Sequence, residues 1–154
     1  MAQLQLDTGG LEETAFASEP GLLLARANAD SIAATNEALA EFGLRVRSFA
    51  VLAAAAAASR PTQRELAAFL RLDPSQVVAL VDGLERRGLV RREADPGDRR
   101  VNAIVITEAG QSLHARASRA VAGSRDRQLA ALTPAEVTTL TGLLAKIVRS
   151  RSVE

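Results

Sequence analysis

The chain has 154 residues, of which 47% are hydrophobic and 24% are charged, with a formal net charge of +1. This composition is typical of a globular protein with one core. Cysteine is absent, which excludes disulfides and zinc–cysteine sites, and a single histidine argues against a histidine-based metal site. We expect a cytoplasmic protein without cofactor, because no export signal or membrane-spanning apolar run is visible.

The first part of the chain predicts a loose arm followed by two helices. Residues 1–18 show no sustained apolar period, which indicates an arm ahead of one folded domain over residues 19–154. Gly43 is suited to ending the first helix, and six consecutive alanines favour the second. The predicted helices are Pro20–Phe42 and Val46–Ala58.

Two helix-start boxes define the next pair of helices. Thr62 and Glu65 have the spacing in which the first side chain caps the helix and the second reaches back to the cap. Asp73-Pro74-Ser75-Gln76 has the same form, and proline suits the first helical position because its missing N–H would have no partner there. The predicted helices, which form a helix-turn-helix, are Gln63–Arg71 and Pro74–Arg87.

A β-hairpin is predicted after the helix-turn-helix. After Gly88 the apolar period changes from helical to extended, and Asp95-Pro96-Gly97-Asp98 supplies turn chemistry. Strands over Leu89–Ala94 and Arg100–Ile106 would form a wing over residues 89–106.

Two further helices complete the predicted fold. Thr107 can cap a helix that runs through the 120s, and Thr133-Pro134-Ala135-Glu136 begins another. The fold class is therefore mainly α with a small β-hairpin wing, a winged helix-turn-helix over residues 44–107. The flanking helices, over residues 19–43 and 108–150, carry more leucine and valine than such a module needs. We expect them to form a homodimer; packing within the chain's own core is the alternative.

The second helix of the helix-turn-helix has an apolar and a polar face. At about 100° per residue, Val77, Leu80, Val81 and Leu84 share the core face. Side chains outside that face are predicted to meet DNA, because glutamine can pair with adenine and small residues permit close approach to base edges. The alternative is an ordinary core helix with a solvated polar face. The predicted DNA-binding residues of this helix are Ser75, Gln76, Val78, Ala79 and Arg86.

Two adjacent arginines, Arg99 and Arg100, lie at the predicted wing tip. A structural hairpin needs only the Pro-Gly turn, whereas an inserted guanidinium gains from the negative potential of a narrow minor groove. We therefore predict that they contact DNA; a solvated charged turn is the alternative.

Five short motifs follow one another between residues 64 and 110 in a characteristic order and spacing. They are RELAAFL (64–70), LDPSQV (72–77), LVDGLERRGLVRR (80–92), DPGDRR (95–100) and ITEAG (106–110). Together they resemble the MarR family of bacterial transcriptional regulators, over about Val46–Leu113. Val78 and Ala79 depart from the family, which commonly has a polar residue and an arginine at these positions.

The resemblance implies a sequence-specific DNA-binding regulator. Such a protein is a homodimer that binds a palindromic operator in double-stranded DNA, usually represses its own or adjacent genes, and is released by a small, often aromatic, ligand. The resemblance also implies that Thr62, Gln63 and Arg64 approach phosphates. It places the ligand near Phe42, Arg45, Phe49 or His114.

Two other functions are weighed against this one. A winged helix that binds a partner protein instead of DNA is the main alternative, since Val78 and Ala79 form a small apolar patch. An enzyme is not expected. His114 lies near Ser112 and Ser118, but no third group is evident to orient the imidazole.

Overall fold

The computed structural model describes residues 9–12, 14–57, 60–94 and 102–150. Over these ranges the chain is mainly helical with one two-stranded antiparallel hairpin, which confirms the predicted fold class. The helices are α1 (Gly9–Glu12), α2 (Pro20–Leu39), α3 (Val46–Ala56), α4 (Gln63–Leu70), α5 (Pro74–Arg86), α6 (Glu108–Gln128) and α7 (Pro134–Ser150). The strands are β1 (Val90–Ala94) and β2 (Asn102–Ile106).

The predicted arm over residues 1–18 is described by the structure at residues 9–12 and 14–18. This part contains α1 and a 3₁₀ turn over Ala15–Ser18. Elements of only four residues are too short to display a helical apolar period, so periodicity could not reveal them. Glu19 then caps α2, because its side chain accepts a hydrogen bond from the backbone N–H of Gly21 at 2.8 Å.

The first two predicted helices end close to their expected positions. α2 passes into a 3₁₀ turn over Ala40–Phe42. Gly43 then ends the helical segment at φ 60°, in the left-handed region where glycine carries no Cβ penalty. The predicted end of the next helix, Ala58, lies outside the described residues, and α3 ends at Ala56.

The first helix of the helix-turn-helix begins with the predicted reciprocal cap, whereas the second begins with a different cap. Thr62 Oγ1 accepts from the backbone N–H of Glu65 at 3.1 Å, and Glu65 Oε2 accepts from the backbone N–H of Thr62 at 2.7 Å. At the second start, Asp73 Oδ1 accepts from both the backbone N–H and the hydroxyl of Ser75. The reciprocal box expected with Gln76 is therefore replaced by a cap between Asp73 and Ser75.

The hairpin is short and is joined to the rest of the domain by backbone bonds. Its register pairs Val90 with Ile106 and Ala94 with Asn102. The backbone N–H of Ile104 donates to the Pro61 oxygen at 2.8 Å, which ties β2 to the start of α4. The turn and the predicted strand residues Arg100 and Val101 lie outside the described residues.

The core lies between α3, α4, α5 and the hairpin, and α6 packs along α2 beside it. The predicted core face of α5 is confirmed, because Val77, Val81 and Leu84 are buried and Leu80 is half-buried. Gly110 belongs to this close packing, since an added Cβ there would lie 2.0 Å from the backbone oxygen of Leu89.

The C-terminal helix α7 differs from the other long helices because it has no buried residue. It contacts the helix-turn-helix through one described hydrogen bond, from Arg71 Nη2 to the backbone oxygen of Val148 at 3.1 Å. Among the described residues, no helix is both long enough and apolar enough to cross a membrane.

Candidate nucleic-acid interface and ligand site

The outer side of α5 is the candidate surface for base contacts. It is exposed at every position that the sequence predicted to meet DNA, including Val78, which is 40% exposed. The structure therefore brings these side chains together on the side of the helix that does not face the core. They are Ser75, Gln76, Val78, Ala79 and Arg86.

The start of α4, which was expected to approach phosphates, is only partly exposed to solvent. Arg64 is exposed, whereas Thr62 and Gln63 are half-buried. The hydroxyl of Thr62 also serves the helix cap, where it donates to Glu65 Oε2 at 2.9 Å. Of these predicted contacts, Arg64 is the side chain most accessible to a phosphate.

The wing is described along its two strands, whereas Arg99 and Arg100 lie outside the described residues. On β1, Glu93 accepts from Arg91 at 2.6 Å and from Arg60 at 2.9 Å. The hydrogen bonds from Arg91 and Arg60 lower the pKa of Glu93 below its ordinary value of 4.5, against the effect of desolvation.

Sequence reasoning missed an arginine that joins the wing to α5. The guanidinium of Arg92 pairs with Asp82 at 2.5 Å and with Glu85, and the backbone N–H of Arg92 donates to Glu85 Oε1 at 3.0 Å. Burial acts to lower the pKa of Arg92, but the hydrogen bond to Asp82 and the charge of Glu85 outweigh it, and the pKa is raised. Asp82 of α5 is therefore engaged in an ion pair with the wing.

The candidate ligand residues lie around α3 and α6. The rings of Phe49 and His114 are stacked, with centroids 5.6 Å apart and an interplanar angle of 21°. Phe42 is buried, and the guanidinium carbon of Arg116 lies 5.4 Å from the centroid of its ring. Arg45 is exposed at the residue that precedes α3. Nothing in the sequence distinguishes Arg116 from the other arginines, so its cation–π contact was not predicted.

The single histidine is held by contacts that do not form a catalytic arrangement. His114 Nε2 lies 3.2 Å from Ser118 Oγ, one helical turn along α6, and its ring stacks on Phe49. No carboxylate is described as a hydrogen-bond partner of this pair. Among the described residues, no group of three or more acidic or histidine side chains has the geometry of a metal site.

Comparison with known proteins identifies the family. The profile described as MarR family matches residues 42–101. A MarR-family transcriptional regulator from Rhodococcus sp. RHA1 superposes with a TM-score of 0.80 at 38% identity, which covers 87% of this chain and 96% of that one. This chain belongs to the MarR family. The match confirms the resemblance that the short motifs indicated.

Other relatives of this MarR-family chain have been solved with bound molecules. CouR from Rhodococcus jostii RHA1, solved with p-coumaroyl-CoA, is 40% identical with a TM-score of 0.79, covering 87% of this chain and 94% of that one. A repressor called CouR, solved on a 23-mer DNA duplex, is 30% identical with a TM-score of 0.80, covering 86% and 94%.

A sequence relative comes from Thauera aromatica and is named as a transcriptional regulatory protein for the hcr operon. It is 36% identical over 91 residues, which make up 59% of this chain. The matched region spans 55% of that relative's length.

Proposed function

We propose that this MarR-family protein is a repressor that binds a palindromic operator in double-stranded DNA as a homodimer. The outer side of α5 carries the proposal, because exposed polar and small side chains there lie opposite a buried apolar face. A Cβ added at Gly83 would come within 4 Å only of Arg86 Nη2, at 3.9 Å. A helix with this open surface can approach base edges closely in a major groove. We call α5 the recognition helix from here on.

The homodimer is supported by α7, which buries none of its residues against its own chain. Its exposed apolar side chains recur at helical spacing and form one stripe. Exposed stripes of this kind mark protein–protein contacts, and a helix gains most of its stability from packing such a face. A second copy related by two-fold symmetry would cover the stripe and present two recognition helices to successive major grooves. The stripe consists of Leu143, Leu144, Ile147 and Val148.

We further infer that an aromatic acyl thioester of coenzyme A releases the operator. The stacked rings of Phe49 and His114 form an aromatic pair against which a ligand ring can pack. Arg45 and Arg116 are exposed, and guanidinium groups bind phosphate by two parallel hydrogen bonds. The 40% identical CouR was solved with p-coumaroyl-CoA, which combines an aromatic ring with phosphate groups.

The repressor acts where its DNA lies, so we place it in the cytoplasm. Homologues that regulate transcription favour a protein that is not an enzyme.

The DNA-binding part is tested by fluorescence anisotropy with fragments from the promoter beside its own gene. We expect the affinity to fall steeply as salt rises, because phosphate contacts release counterions. Replacing Arg99 and Arg100 together by alanine removes two predicted groove contacts. We expect this double variant to bind the operator with an affinity at least about tenfold lower than the wild type. Arg125→Ala is the matched control, since this exposed arginine lies on α6 and pairs with Asp126. Salt-independent binding, or no preference for any genomic fragment, contradicts the proposal.

The ligand part is tested on the protein–operator complex by adding p-coumaroyl-CoA, benzoyl-CoA or free coenzyme A. We expect the aromatic thioesters to release the operator and free coenzyme A to be much weaker, because it has no ring to pack against the aromatic pair. Phe49→Ala should raise the thioester concentration needed for release while leaving the operator affinity of the free protein unchanged. Equal potency of all three compounds would show that the ring is not recognised.

The winged helix could instead bind a partner protein. The exposure of Val78 beside Ala79 on the recognition helix favours this second function. Affinity capture with the wild-type protein distinguishes the two functions. Recovery of one stoichiometric protein with no enriched DNA supports the partner; recovery of one enriched DNA sequence supports the operator.

A further inference from the structure

The base of the wing is connected to the recognition helix by charged groups as well as by apolar packing. On β1 and β2, the deeply buried side chains are Val90, Ala103 and Ile104. Ala103 and Ile104 pair with Glu93 and Arg92 across the hairpin. Farther along β1, the side chains of Arg92 and Glu93 are half-buried and Ala94 is exposed. The base of the wing is therefore part of the hydrophobic core, and the charged side chains of β1 add contacts that can fix the direction in which the wing projects.

Arg92 supplies the first of these charged connections. Glu85 accepts hydrogen bonds from both the backbone N–H and the guanidinium of Arg92, and Asp82 accepts a second guanidinium hydrogen bond at 2.5 Å. The Arg92 side chain is only 25% exposed, so the pairs are partly shielded from water. Asp82 and Glu85 are three residues apart and therefore share one face of the recognition helix. One arginine thus holds β1 to that helix at three points.

A second connection lies on the opposite face of the strand. Successive side chains of a strand point to opposite faces, so Glu93 lies on the face away from Arg92. Glu93 pairs with Arg60, which precedes α4 and has a φ of 45°. A non-glycine residue in this left-handed region is strained and persists only where its surroundings hold it. The pair with Glu93 is one of the contacts that hold it.

We propose that Arg92 is a positioning residue for DNA binding, which sets the angle between the wing and the recognition helix through Asp82 and Glu85. This inference rests on the proposed operator binding. If the wing tip enters a minor groove while the recognition helix lies in the adjacent major groove, both sets of contacts form only at one relative orientation. Releasing Arg92 leaves the recognition helix intact but lets the wing adopt other angles, so the minor-groove contacts are lost first.

The decisive variant is Glu85→Gln, because two explanations predict opposite signs for it. Removing a carboxylate near DNA reduces repulsion of the phosphates, so a purely electrostatic role for this cluster predicts tighter binding. The positioning role predicts that operator affinity falls by about tenfold, because one set of groove contacts would be lost. Glu41→Gln, which removes an exposed carboxylate outside the cluster, should leave the affinity nearly unchanged.

Footprinting shows which contacts are lost. In the Glu85→Gln and Arg92→Gln variants, we expect hydroxyl-radical protection to disappear at the minor-groove positions beneath the wings. Protection of guanine N7 in the major groove should persist at saturating protein. Arg91→Gln removes the same charge one residue away but leaves the pairs of Arg92 in place, so it should keep both protections. Arg92→Lys, which retains the charge but not the forked geometry, should bind with intermediate affinity.

Unchanged or tighter operator binding by Glu85→Gln overturns the proposal, as does uniform loss of both protections in a folded variant. Circular dichroism identifies folded variants, and Arg92→Lys supplies the test if the neutral substitution unfolds the chain. Failure of the operator proposal itself is distinguishable, because then the wild-type protein shows no specific footprint.

Discussion

The guanidinium of Arg87 donates a hydrogen bond from Nη2 to the backbone oxygen of Phe42 at 2.8 Å, although 45 positions separate the two residues. Its Nη1 donates to the oxygen of Gly43 at 2.7 Å. The last carbonyls of a helical segment have no partner within it, and a cation is favoured at that end. Arg87 therefore closes the end of the segment that carries Phe42 and links it to the C-cap of the recognition helix.

Arg87 and its neighbour Arg86 should differ in what they control. Arg87→Ala removes two hydrogen bonds to carbonyls, so we expect the free energy of unfolding to fall by about 1–3 kcal/mol. Arg86→Ala removes an exposed side chain from the candidate DNA surface, so unfolding should change by less than about 0.5 kcal/mol while operator affinity falls. Urea unfolding and anisotropy measure the two quantities. Equal stability of the two variants would show that the Arg87 contacts contribute nothing measurable.

Two glycines provide a matched pair for close packing. Gly110→Ala places a Cβ 2.0 Å from the Leu89 oxygen, and we expect it to lower the free energy of unfolding by about 1–3 kcal/mol or more. Gly83 lies within a helix and has open space around an added Cβ. We therefore expect Gly83→Ala to raise the free energy of unfolding by about 0.5–1 kcal/mol. Operator affinity should nevertheless fall for Gly83→Ala, because the added methyl group holds the recognition helix away from the bases. Tighter DNA binding by the alanine variant would refute a close approach at this position.

The cap at Asp73 predicts a pH dependence. The hydrogen bonds from the hydroxyl and backbone N–H of Ser75 lower the pKa of Asp73 below its ordinary value of 3.8. The folded state therefore favours the carboxylate. The cap stabilises the folded protein fully above pH 3.8, and this contribution is lost as the pH falls through the lower native pKa.

We expect Asp73→Asn to reduce the loss of stability on acidification, because asparagine caps a helix without titrating. Urea unfolding over a series of pH values measures this loss. Ser75→Ala removes the largest cause of the shift, so an NMR titration should show the pKa of Asp73 closer to its ordinary value. A pKa that does not move in Ser75→Ala would mean that the hydroxyl does not stabilise the carboxylate.

The exposed stripe on α7 predicts how the subunits associate. Ile147 is 51% exposed in the single chain, and Ile147→Glu would place a charge in the proposed dimer contact. We expect sedimentation velocity to show a monomer for this variant at a concentration where the wild type is a dimer. Thr138→Glu is the control, because this exposed residue lies on the side of α7 away from the stripe. A monomeric wild type, or an unchanged dimer in Ile147→Glu, would contradict the α7 contact.

Local signals in the sequence predicted most of the elements. The reciprocal cap between Thr62 and Glu65, the left-handed stop at Gly43 and the buried face of α5 all depend on residues a few positions apart. Cap chemistry and apolar periodicity act over that range, so they can be read without knowledge of packing. The exposed positions of the candidate DNA surface followed from the same period, since they lie away from the buried face.

Contacts between distant elements were decided by the tertiary structure alone. Arg92 pairs with carboxylates seven and ten positions away, Arg87 bonds to an oxygen 45 positions away, and Arg116 covers the ring of Phe42. The chain has 19 lysines and arginines, and their long, flexible side chains give no sequence pattern that reveals a distant partner. Caps and periodic faces are determined by neighbouring residues, whereas an arginine's role depends on which backbone and carboxylate groups folding places within its reach.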